Sequence, residues 1–163
     1  MSKGVYGAEA IEVLSDFFAS AGMNATPVEG EPAFKLVLGG EHGLMPAMAG
    51  LLLERHQLIT YVAAPSNCPE DRRAAVAEFV ARANWGLPMG NFEIDLDDGS
   101  IRFKSSVDYE NVGLTPELVR NVFAPAAFTM DRYLQGLLAV MFGNTDPAEI
   151  IEAIESDAAD IVG

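Results

Sequence analysis

The stretch Trp85 to Glu110, WGLPMGNFEIDLDDGSIRFKSSVDYE, carries a hairpin signature at its centre. Asp98-Gly99 is a dipeptide suited to the positive φ angles of a two-residue type I′ turn, and both flanks alternate apolar with polar residues. Counting outward from that turn pairs Asp97 with Ser100, Leu96 with Ile101, Asp95 with Arg102, Ile94 with Phe103, and Glu93 with Lys104. Phe92, Ile94, Leu96, Ile101 and Phe103 then share one face, while two carboxylates stand across from two cations on the other. A slip of one residue would turn the apolar set to water, so the pattern predicts a half-buried sheet of firm register. It predicts no reaction.

The rest of the composition bounds the function. The 163 residues fit one domain with its own core, and half of them are apolar. Ten bases against 24 acids give a net charge of −14, and among the bases only Arg72 and Arg73 are adjacent. Nucleic acid and anionic membranes both select basic patches, so neither is an expected partner. The first residues, MSKGVYGAEAIE, have no apolar run of signal-peptide length, and no run is long enough to span a bilayer. A single cysteine rules out an internal disulfide and suits a reducing cytoplasm, the expected location.

Upstream of the hairpin, Asn67 as N-cap, Pro69 and Glu70 open a helix expected to run to about Asn84. Past its first turn only Glu78 and Arg82 are polar, an apolar arc too wide for one sheet face. Before it, Phe34–Leu38 and Leu58–Ala63 read as strands. Leu44–Leu53 reads as an edge strand because of Pro46 and Gly50, and residues 54–57 would join it to the next in a second hairpin. Ile11, Leu14, Phe17 and Phe18 recur at helical spacing from Ala8, and Gly22 stops that helix. Residues 1–7 are expected to be loose, and Thr26–Pro32 to be a loop.

Downstream, Thr115 caps and Pro116 begins a third helix whose inner stripe is Leu118, Val119, Val122 and Phe123. Pro125 lies inside the pattern and predicts a kink or short break near Ala124. Phe128, Met130, Tyr133 and Met141 are expected in the core of the later half, which Gly143 closes. Asp146-Pro147-Ala148-Glu149 is a capping box for a last helix with Ile150, Ile151, Ile154, Ala158 and Ile161 as its stripe and fraying over 156–163. The element order is helix, three strands, helix, two strands, helices. That is an α+β domain: a mainly antiparallel sheet of about five strands with helices on one face.

The residues that could carry chemistry read more simply as structure. Asp95, Asp97, Asp98 and Gly99 miss the EF-hand spacing, since glycine falls at position 5 and Ser106 at position 12. Cys68 lies near a helix N-terminus, a place that lowers a thiol pKa, but no spacing brings His42 or His56 to it. Both histidines sit beside turns and are expected to face solvent. Gly39-Gly40 and Gly86–Gly90 are turns rather than phosphate cradles. The sequence therefore predicts no catalytic, cofactor or metal site.

Ala83-Asn84-Trp85, Leu87-Pro88-Met89-Gly90-Asn91-Phe92-Glu93, Leu114-Thr115-Pro116-Glu117 and Met130-Asp131-Arg132-Tyr133 together resemble the bacterial YbjN-type domain over about Ala8 to Glu155. Those proteins are described as sensory-transduction regulators, with a fold similar to type III secretion chaperones. The resemblance implies a cytoplasmic domain that often forms homodimers, acts through protein contacts and has no catalytic residue. The wide apolar arcs add a reason for pairing, with Val76, Phe79, Val80, Tyr133 and Leu137 as the expected interaction surface, unless those arcs cover each other. Expected, then, is a non-enzymatic protein-interaction or chaperone-like regulator holding an unidentified protein partner. The alternative is a small-ligand sensor with a pocket between sheet and helices.

Overall fold

The computed structural model describes the backbone of residues 4–159 and the side chains through residue 156. Among these residues lie four helices, α1 (Ala8–Ser20), α2 (Arg73–Gly86), α3 (Pro116–Phe142) and α4 (Pro147–Ala159). Six strands, β1 (Thr26–Pro27), β2 (Ala33–Gly39), β3 (Leu44–Leu52), β4 (Gln57–Ala63), β5 (Asn91–Ile94) and β6 (Ile101–Asp108), form one sheet in the order β1-β2-β3-β4-β6-β5. All its pairings are antiparallel. Burial alternates along β2, β3, β4 and β6, as it must when a sheet is covered on one face only. The helices supply that cover: α3 lies against β4 and β6, α1 against α3, and α2 against β5, α3 and α4. The α+β expectation holds.

Several local expectations give way to tertiary contacts. The sheet has a sixth strand, because Thr26 and Pro27 pair with Lys35 and Phe34. Two residues have no alternation to read, so their pairing leaves no sequence signal. β3 is an interior strand, not an edge: it pairs with β2 from Leu44 to Gly50 and with β4 from Ala47 onward. Pro46 is tolerated because the ladder with β4 starts one residue beyond it. Asn67 does not cap α2; its amide donates to the Asp98 carbonyl instead (3.2 Å), and Glu70–Arg72 form a 3-10 turn ahead of the helix. Residues 4–7 are not loose, since Val5 and Leu114 exchange backbone bonds of 3.1 and 2.8 Å and the Tyr6 hydroxyl donates to the Glu110 carbonyl. Residues 1–3 and, of the stretch expected to fray, residues 160–163 with Ile161 lie outside the described residues; Ser156–Ala159 belong to α4.

The hairpin forms with its faces as expected and its register two residues away. Ile94 pairs with Ile101, Glu93 with Arg102, Phe92 with Phe103, and Asn91 with Lys104. A shift of two preserves which side each residue faces, so Phe92, Ile101 and Phe103 are buried while Leu96 is left in an exposed loop. The turn is longer than type I′. Asp95 N–H reaches the Ser100 carbonyl, Gly99 N–H reaches the Asp95 carbonyl, and only Gly99 takes a positive φ (79°). Side chains and a neighbouring segment select this loop. Asp95 and Asp98 accept from the backbone N–H of Asp97 and Ser100, Arg73 donates to the carbonyls of Leu96 and Asp97, and Cys68 N–H bonds the Gly99 carbonyl. Glu93 consequently takes both cations, Arg102 and Lys104. Burial pushes its carboxyl up, but the bonds from Lys104 and Arg102 outweigh this and hold it below its ordinary value.

Candidate interaction site

Val76, Phe79, Val80, Tyr133 and Leu137, expected to form a surface, are all buried. α2 meets α4 as well as α3 and β5, so its wide apolar arc is covered within the chain. Phe79 stands edge-on to Tyr133 and Phe92, and the Tyr133 hydroxyl donates to Glu155 on α4 (3.2 Å). These five are core. Met130 and Met141 are buried as expected, but Phe128 is 74% exposed and belongs to the feature that replaces them.

That feature is a groove of about 750 Å³ between α1, α3 and the turn from β2 to β3. Phe17 and Phe123 form its floor, backed by Phe18, whose ring lies edge-on to both at 5.4 and 5.2 Å. Met23 and Leu38 also line it, as do Ala124, Ala127 and the exposed Phe128 from α3. Arg120, Ala124, Ala127 and Asp131 lie three or four residues apart, so one stripe of α3 supplies that side. Asp16, Glu41 and Asp131 line the rim against Arg120.

Asp131 fixes the β2–β3 turn that forms the other side. Its carboxylate accepts from the backbone N–H of Glu41 and His42, each at 3.0 Å, and so ties the β2–β3 turn to α3. A Cβ at Gly40 would stand 2.1 Å from the same carboxylate, which is why the turn needs glycine there. His42 is thereby half-buried instead of solvent-facing.

The residues weighed for catalysis stay apart. Cys68 is buried, donates to the Pro69 carbonyl, and has a thiol pushed up by burial despite Arg73 and Arg72 nearby, the reverse of an activated nucleophile. His42 sits at the β2–β3 turn, and His56 packs between the rings of Tyr6 and Tyr109. Among the described residues no group of three or more His, Cys, Asp or Glu could hold a metal ion, and no helix is long and apolar enough to cross a membrane. The groove itself left one trace in the sequence. Phe128 falls outside the stripe Val119, Val122, Phe123, Ala126, Met130, and that offset is the signal of an outward aromatic.

A six-stranded antiparallel sheet with helices on one face and an apolar groove at the α1–α3 end defines a small α+β domain. Residues 10–139 match the YbjN family, "Putative bacterial sensory transduction regulator", and the chain belongs to that family. Comparison with curated protein sequences finds no match. Among solved structures, YbjN from E. coli, described as "a putative transcription regulator", is similar at TM-score 0.59 and 14% identity, over 83% of this chain and 96% of that one. ExsC in its complex with ExsE gives TM-score 0.55 at 16% identity over 80% of this chain and 94% of that one. The HopA1-SchA chaperone-effector complex gives 0.51 at 12%, covering 77% and 91%. At these identities the likeness is one of fold, the type III chaperone-like fold.

Proposed function

We propose that this protein is a non-enzymatic, chaperone-like regulatory module that takes a short apolar segment of another protein, bearing Lys or Arg, into the α1–α3 groove. The exposed Phe128 over an aromatic floor with an acidic rim carries the reading. Apolar surface of that kind, ringed by charge, is what peptide recognition uses, and the net charge of −14 draws basic segments toward it. Two of the similar folds come from complexes with another protein, which supports the same direction. A small-molecule sensor is the weaker reading: Asp131 is engaged by turn amides, and Asp16 and Glu41 are exposed instead of converging on a buried point. A cytoplasmic location and a homodimeric state belong to the proposal through the family resemblance.

The test is selection of a random peptide library on the protein and on Phe128→Asp. The expected winners are apolar segments flanked by Lys or Arg, whose binding weakens with salt and is lost in the variant. Winners without basic residues, or equally well held by Phe128→Asp, would remove the groove from the account.

A further inference from the structure

The turn that walls the groove carries a titratable ring set against the carboxylate that fixes it. Asp131 of α3 accepts from the Glu41 backbone N–H with Oδ2 and from the His42 backbone N–H with Oδ1, each at 3.0 Å. The His42 ring reaches the same group, with Nδ1 at 3.7 Å from Oδ1. That nitrogen is closed off from water and has no hydrogen-bond partner. The ring as a whole is not closed off, since the His42 side chain is 27% exposed and can exchange protons with solvent. Whichever nitrogen holds the proton of the neutral ring, only the doubly protonated ring brings a positive charge to Asp131, and a donor on Nδ1 with it. From α3 the ring faces Asp131, and beside it on the turn stands Glu41. Arg132, next along α3, turns away to the Ile154 carbonyl of α4, and Leu134, which a Cβ at Gly43 would touch, is apolar.

We propose that His42 is a proton-operated control on the groove: on taking up a proton it offsets the charge of Asp131, and the groove releases the basic segment. The inference rests on the reading of the groove given above and adds its regulation. Asp16, Glu41 and Asp131 against Arg120, three acids less one base, leave the rim at −2, and a protonated His42 beside Asp131 brings it to −1. A unit charge roughly 8 Å from a bound Lys or Arg, partly screened by water and salt, alters affinity about three- to tenfold. The aromatic floor of Phe17 and Phe123 is unaffected, so an uncharged segment stays in place. The wall stays as well, because the new Nδ1 donor adds to the two amides that already tie the turn to Asp131. Release therefore comes from charge and not from loss of the turn. An imidazole changes charge between about pH 5 and 8, where ordinary carboxyls remain ionised, so the rim acids themselves do not respond in that window.

Calorimetric titration at pH 7.5 and 5.5 tests this with two probes. One is an apolar peptide with two lysines taken from the library selection, and the other is the same peptide with both lysines replaced by norleucine. Wild type should hold the lysine peptide three- to tenfold more weakly at pH 5.5 and the norleucine peptide equally at both. His42→Gln should lose the response, while His56→Asn, at the second of the two histidines, should keep it. In the free protein the amide resonances of Glu41 and His42 should move together with the His42 imidazole. Equal affinity of wild type for the lysine peptide at both pH values, tighter binding in acid, or a response retained by His42→Gln would overturn the proposal. A protein that holds neither peptide at pH 7.5 removes the groove reading and this inference with it, whereas binding without a pH response removes this inference alone.

Discussion

At β5 one side chain stands where a neighbouring strand would otherwise be. The Asn84 carboxamide accepts from Phe92 N–H (2.7 Å) and donates to the Phe92 carbonyl (3.1 Å), closing the sheet edge from α2. Asn84→Leu leaves the Phe92 N–H without a partner and its carbonyl with only the Asn91 carboxamide at 3.3 Å, and chemical denaturation should find it less stable by about 1–3 kcal/mol. Gly99→Ala should cost more than about 1 kcal/mol, because φ is 79° there and a Cβ would lie 2.2 Å from the Cys68 carbonyl. Tyr133 offers a test by pH. Burial, then the charge of Glu155, pushes its hydroxyl up to about 12. With the folded value above the ordinary one near 10, its contribution is complete below about pH 10 and is lost as pH rises toward 12. The melting temperature should fall more steeply over that window than in Tyr133→Phe; equal slopes would contradict the assignment. The sequence marked Asn84 as preceding the hairpin without revealing its bond, since side-chain caps on strand edges depend on a helix arriving from elsewhere.

At the scale of elements, α3 runs unbroken through Pro125, where the sequence predicts a kink or break. A proline removes one helical hydrogen bond, yet Val122, Phe123 and Ala126 are all buried on the same core and hold both halves in place. Pro125→Ala should therefore stabilise the protein, by up to about 3 kcal/mol, as read from its denaturation midpoint; a loss would mean the ring is needed for packing. Hairpin and helices show where local reading stops. Alternation along 91–104 fixed which residues face the core, because that depends on the chain alone. The register depended on Arg73, Asn67 and Cys68 gripping the loop from a segment about 30 residues earlier, and no local pattern contains that. The same limit explains α2, whose apolar arc was legible while its cover by α4 was not.

Over the whole molecule, the fold class, the helices and their single-faced placement follow from periodicity, but the working surfaces do not. Val76, Phe79, Val80, Tyr133 and Leu137 are apolar and buried, whereas Phe128 and Leu44 are apolar and exposed. Composition cannot tell these apart; only the assembled layers can. The acids of this −14 chain are spread over helices and loops alike, and Asp16, Glu41 and Asp131 among them line the groove. The groove is the surface we propose as the dock for another protein's segment. Hydrogen exchange in the presence of a selected basic, apolar peptide is the most direct measurement of that claim. Slowed exchange confined to the Gly40–Gly43 turn, the end of α1 and Ala124–Asp131 is the predicted result; protection elsewhere, or none with the peptide bound, would contradict it.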